Sequence, residues 1–116
     1  MRFFFALTLF VCFSVNTSAQ QPEGQGYGLG MNSCATFAQD YRAQPALTEG
    51  LYWAWSQGFL SGMNLMATVL RQPVRHLAKL NVESAKIEIR TYCSAHPLEE
   101  YYSALTQIYG RLPLLQ

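Results

Sequence analysis

Leu51 to Leu70 (LYWAWSQGFLSGMNLMATVL) is a run of twenty uncharged residues. On length alone it is a membrane span, since about 20 apolar residues cross a bilayer. Its polar positions argue for something else. At about 100° per residue, Gln57, Ser61, Asn64 and Thr68 fall on one narrow arc of a helix. Tyr52, Trp55, Phe59, Gly62, Met66 and Val69 fall on the opposite arc. The pattern predicts an amphipathic central helix with a wide apolar face, covered by other helices of a bundle. Gly58 and Gly62 predict a notch where a second helix packs closely. Each glycine costs about 1 kcal/mol relative to alanine in a helix, and close packing is what would offset that.

Three shorter helices follow from the same periodicity. Asn32 or Ser33 caps a first helix from about Cys34 to Arg42, with Cys34, Phe37, Ala38 and Tyr41 on its apolar side. Arg42 to Gly50 reads as a linker, marked by Pro45 and Gly50. The central helix is over by Gln72, because Pro73 disfavours helix in the residue before it. Pro73 to Leu80 holds one or two helical turns at most, with His76 as a solvated loop residue. Asn81 caps a third helix from about Val82 to Ala95, with Val82, Ala85, Ile89, Tyr92 and Cys93 inward. Lys86 to Thr91 also alternates as a strand does, but one short strand without a partner is marginal, so helix is preferred. Pro97 fits the first position of a fourth helix. It carries Leu98, Tyr101, Tyr102, Leu105, Ile108 and Tyr109 inward, Glu99 and Glu100 in its first turn, and Gly110 at its end. Leu112 to Gln116 is a short tail. The predicted core centres on Trp55, Phe59, Met66, Ile89, Tyr92 and Leu105.

The N-terminus changes the compartment. Arg2, the apolar run Phe3 to Val15 and the small residues Thr17, Ser18 and Ala19 read as a secretory signal peptide over residues 1–19, with Cys12 lost along with it. Cleavage leaves 97 of the 116 residues: a flexible Gly- and Gln-rich leader over 20–31, then a single helical domain over 32–116. Arg2 is one of eight basic residues, so seven then face seven acidic ones. A neutral chain is poorly suited to nucleic acid or an anionic membrane, which both favour basic excess. Cys34 and Cys93 remain, and an exported chain oxidises such a pair. The bond would close a loop of about 60 residues, worth about 4 kcal/mol in the loop-entropy model. The fold expected is all-α, a compact four-helix domain stapled by one disulfide.

Three segments carry a resemblance. They are Ser33-Cys34-Ala35-Thr36-Phe37, Tyr52-Trp53-Ala54-Trp55 leading to Gly58-Phe59, and Tyr92-Cys93-Ser94-Ala95-His96-Pro97. In order and approximate spacing, the chain resembles small periplasmic proteins of the HdeA/HdeB acid-stress chaperone type over about Ser33 to Tyr109. The resemblance implies an all-α fold, a Cys34 to Cys93 disulfide, a periplasmic location and frequent homodimerisation. Trp55-Ser56-Gln57-Gly58-Phe59-Leu60-Ser61-Gly62 is also similar to the helical, disulfide-bonded immunity proteins that neutralise type VI secretion amidases in the periplasm. Neither family is enzymatic, so neither implies a catalytic residue.

Two protein-binding functions follow as expectations, with no cofactor and no metal. An acid-stress chaperone would loosen as carboxylates are protonated and expose apolar surface to unfolded clients. Glu83, Glu88, Glu99 and Glu100 look surface-placed, where exposed pairs contribute little. An immunity protein would instead present rigid anchors to one cognate effector. Trp53 and Leu60 point off the main apolar arc of the central helix and are the candidate partner-binding residues. An enzyme is the weakest expectation: no His-Glu-x-x-His and no Gly-x-Ser-x-Gly occurs, and the adjacent Glu99 and Glu100 face different directions on a helix.

Overall fold

The computed structural model describes residues 24–116. The expected signal peptide, with Cys12, lies outside the described residues, as do the first residues of the leader. The chain folds into four helices, α1 (Cys34–Ala43), α2 (Pro45–Val69), α3 (Val82–Ala95) and α4 (Tyr101–Arg111), with short 3-10 turns at Leu29–Met31 and Leu77–Lys79. Of the two candidate caps for the first helix Ser33 is the one that acts, and Asn81 caps the third as expected. Ser33 Oγ accepts the Thr36 N–H at 3.1 Å, and Asn81 Oδ1 accepts the Ser84 N–H at 2.9 Å. Lys86 to Thr91 is helical. Among the described residues no helix is long and apolar enough to cross a membrane.

Two boundaries differ from expectation. Residues 45–50 are not a linker: Pro45 opens α2, and only Gln44 separates α1 from it. Proline at the first helical position gives up an N–H that would have no partner there anyway, so it starts this helix instead of interrupting one. In contrast, α4 begins four residues later than Pro97. Residues 97–100 turn back onto the start of α1, with the Glu99 N–H donating to the His96 carbonyl at 3.2 Å and Glu100 bridging Ser33. Cys34 N–H donates to the Glu99 carbonyl at 2.7 Å, Ala35 N–H to Pro97 at 2.9 Å, and Tyr101 N–H to Asn32 at 2.9 Å. The opening N–H groups of a helix have no partner within it, and this segment supplies acceptors for two of them. Leu98, expected inside, is left 91% exposed. Gly110 lies within the last turn of α4 and does not end it.

The same corner carries the disulfide. Cys34 and Cys93 are bonded with Cα atoms 4.7 Å apart, fixing the start of α1 to the end of α3. Behind it, the rings of Phe37, Tyr52 and Tyr101 meet pairwise with centroids 4.8–5.0 Å apart. Ile89 and Leu105 are fully buried beside them. Trp53, Trp55, Phe59 and Tyr92 are partly buried and pack against this core from its edges. Glu49 of α2 pairs with Arg90 and, at 3.8 Å, with Lys86 of α3, while the Arg90 guanidinium lies 5.5 Å from the Tyr41 ring centroid.

The central helix is turned relative to the predicted arc. Thr48, Tyr52, Ser56 and Leu60 face inward at intervals of four. Leu60, expected on a partner-facing side, is 3% exposed, and Met66, expected in the core, is 56% exposed. Ser56 tolerates burial because its hydroxyl is fully used. It donates to the Tyr52 carbonyl at 2.7 Å, and its oxygen accepts from Tyr101 Oη at 3.1 Å. Gly58 and Gly62 face open space, where a Cβ would meet nothing within 4 Å, so they form no notch inside the bundle.

The end of the leader is also fixed. Trp55 Nε1 donates to the Tyr27 carbonyl at 2.9 Å, and Gly30 lies flat against the indole. A Cβ at Gly30 would sit 1.9 Å from Trp55 Cζ3. Gly28, at φ 93°, makes the turn into this contact. Residues 28–31 are thus part of the folded domain, not of a flexible leader.

Candidate functional site

The last turns of α2 meet the connection to α3 and the C-terminal tail, and one residue organises the junction. Asn64 Nδ2 donates to the Arg75 carbonyl at 2.7 Å, and Asn64 Oδ1 accepts the Arg75 N–H at 2.9 Å. Tyr109 Oη donates to the same oxygen at 2.7 Å. The tail then adds to the connection as a short antiparallel bridge. His76 N–H donates to Pro113 at 2.7 Å, and Leu115 N–H to Val74 at 2.9 Å. Residues 112–115 are therefore a wall of the molecule, not a loose end.

The helix finishes with a left-handed residue. Arg71 has φ 54°, its N–H donates to Thr68 at 3.1 Å, and the Gln72 N–H donates back to Ala67 at 2.8 Å. This is the Schellman arrangement, with arginine where glycine is usual. It folds Pro73 back toward the helix and leaves an open pocket of about 570 Å³ between these parts, within the size range of ligand sites. Met63, Met66, Ala67 and Leu70 of α2 form one side, and Pro73, Tyr109 and Leu114 the other.

The lining is mostly apolar, with Gln72 at its edge, and Arg75 and Tyr109 are already engaged. Arg75 Nη1 donates to the Leu112 carbonyl at 2.9 Å, and its guanidinium lies 6.0 Å from the Tyr109 ring centroid. No carboxylate, histidine, serine or cysteine is among the residues that border the pocket. Among the described residues no group of three His, Cys, Asp or Glu side chains is placed to hold a metal ion. What the pocket can do is accept an apolar side chain from another molecule.

The residues predicted to bind a partner do not meet here. Leu60 is inside the core. Trp53 is half-buried beside Glu49, Lys86 and Ile89 on another side of the bundle. The sequence places Met66 and Tyr109 in the core and does not bring them together at a pocket, for a clear reason. Met63 and Met66 are neighbours on one helix face, but Tyr109 and Leu114 lie more than forty positions away. The only local signal was the pair of methionines three apart.

No protein-family model, curated protein or solved structure matches this chain. Function must therefore be argued from its own surfaces.

Proposed function

We propose that the protein is a small periplasmic protein-binding domain that shields apolar segments of unfolded clients, in the manner of an acid-stress chaperone. The supporting observation is the methionine-lined pocket at the end of α2, open in the folded chain. Methionine is unbranched and polarisable, and surfaces built from it adapt to many apolar partners. The disulfide and the signal-like N-terminus support an oxidising compartment outside the cytoplasm. In this reading acid adds to a surface that is already available. The pairs from Glu49 to Lys86 and Arg90 hold α2 against α3.

The test is light scattering of a heat-aggregating client with the mature, oxidised protein at pH 7, and of an acid-aggregating client at about pH 3, where carboxylates near pKa 4 are protonated. Wild type should suppress aggregation. Met66→Asp changes an exposed side chain and should keep the circular dichroism of the fold while losing most of the effect. Suppression by neither protein, or equally by both, would overturn the proposal.

A second reading is that the chain inhibits one periplasmic enzyme, such as a type VI secretion amidase. It draws on a groove of about 430 Å³ between α1 and α3, bordered by Tyr41, Arg42 and Arg90. Tyrosine and arginine are the residue types that anchor tight complexes. Stoichiometric capture of a single enzyme, lost on Arg42→Ala, would favour it.

A further inference from the structure

We infer that the outer face of α2 pairs with the same face of a second copy, the two helices crossing antiparallel at Gly58. This face is distinct from the methionine-lined pocket. It consists of Leu47, Leu51, Ala54, Gly58, Gly62, Leu65 and Val69, all exposed, with the four large side chains 52–74% open to solvent. At about 100° per residue all seven lie within about 40° of Gly58 around the helix.

The spacing is symmetric about Gly58. Ala54 and Gly62 lie four residues to either side, Leu51 and Leu65 seven, and Leu47 and Val69 eleven. A two-fold axis through Gly58 therefore sets Ala54 against the partner's Gly62, Leu51 against the partner's Leu65, and Leu47 against the partner's Val69. Self-complementarity of this kind is what a two-fold interface requires. Small residues occupy the crossing point, where backbones must approach, and large ones close the seam at both ends. Ideal Cβ atoms at Gly58 and Gly62 meet nothing within 4 Å in the single chain, so the space for a second helix is open.

Charge and area agree with this occupant. Glu49 and Arg71 are the nearest charges along α2, so the seam buries no charged side chain. Covering the four large, half- to three-quarters-exposed side chains on both copies, with their flanking residues, makes a contact at the small end of specific interfaces. Met63 and Met66 lie on a different side of the helix, so the pair would present one pocket near each end. The inference does not rest on the chaperone reading and survives if that fails.

Sedimentation equilibrium of the mature, oxidised protein should give a dimer, and Gly58→Leu should weaken it at least tenfold. Leucine is a better helix former than glycine, and this position is open in the single chain, so the variant monomer should be at least as stable as wild type. Cysteine crosslinking fixes the geometry. Gly58→Cys lies on the axis and should oxidise to a covalent dimer. Leu47→Cys alone should not, because its copy would be about 33 Å away along the helices. Leu47→Cys combined with Val69→Cys should. A monomeric wild type, a dimer indifferent to Gly58→Leu, or crosslinking of Leu47→Cys as efficient as Gly58→Cys would each overturn the inference.

Discussion

Asn64 and Arg75 pair as two residues of neighbouring strands do, although one of them contributes a side chain. The Asn64 amide donates to the Arg75 carbonyl at 2.7 Å and accepts its N–H at 2.9 Å. A helix thereby holds a loop with the donor and acceptor pattern of a sheet ladder, and the C-terminal tail adds to that loop's other edge. Asn64→Ala should strand three groups, the Arg75 N–H, the Arg75 carbonyl and the Tyr109 hydroxyl. The expected loss is about 1–3 kcal/mol, read from urea denaturation, with faster hydrogen exchange at the Arg75 amide. A change below about 0.5 kcal/mol would mean that water replaces the clamp.

Gly30 and Trp55 make the second decisive contact. Alanine at Gly30 has no room against the indole, whereas a Cβ at Gly24 meets nothing within 4 Å. Gly30→Ala should expel residues 24–31 from Trp55, shift tryptophan emission to the red and open the segment to proteolysis, at a loss of about 1–3 kcal/mol. Gly24→Ala should do none of this. Matching behaviour of the two variants would remove the leader from the folded domain.

Arg71 is strained by its place. A non-glycine residue in the left-handed region costs about 1–2 kcal/mol, and glycine gives back part of that gain through its unfolded-state entropy. Arg71→Gly should therefore raise stability by about 0.5–1 kcal/mol. Thermal unfolding of the two proteins side by side decides it, and a lower melting temperature would show that the arginine side chain contributes more than its backbone costs.

Tyr101 ties stability to alkaline pH. Burial pushes its phenol up to about 12, and the hydrogen bond with Ser56 offsets part of the rise. Its folded pKa is raised above an unfolded value near 10. The associated stability is thus fully present below about pH 10 and is lost as pH rises through about 12, amounting to about 2–3 kcal/mol. Tyr101→Phe should be about 1 kcal/mol less stable at neutral pH, having lost the Ser56 bond, yet show a flatter profile between pH 10 and 12. Some slope should remain, because burial also raises Tyr52. Equal slopes for both proteins would assign the alkaline transition elsewhere.

Much of the fold was legible from short-range chemistry. Ser33 and Asn81 fixed where α1 and α3 begin, because a capping side chain acts within three residues of itself. The spacing of Ala85, Ile89 and Cys93 placed one face of α3 inward, and the even pair Cys34 and Cys93 pointed to the bond that joins them. What stayed illegible was set at long range. The central helix is apolar over a wide arc, so its periodicity marked a polar side, where Gln57, Ser61 and Thr68 are exposed, but misplaced which part of the apolar arc turns inward. Tyr101, forty-five positions from Ser56, makes that serine's burial possible. Arg75 and Tyr109 do the same for Asn64 and draw it off the expected solvent face. That rotation carries Leu60 into the core, carries Met66 out, and leaves the Gly58 seam on the outside. Sequence determined the helices, their caps and their staple, because those depend on neighbours along the chain. Tertiary structure alone decided which face of α2 is inside, and so where its pocket and seam lie, because that choice depends on partners the chain brings back from far away.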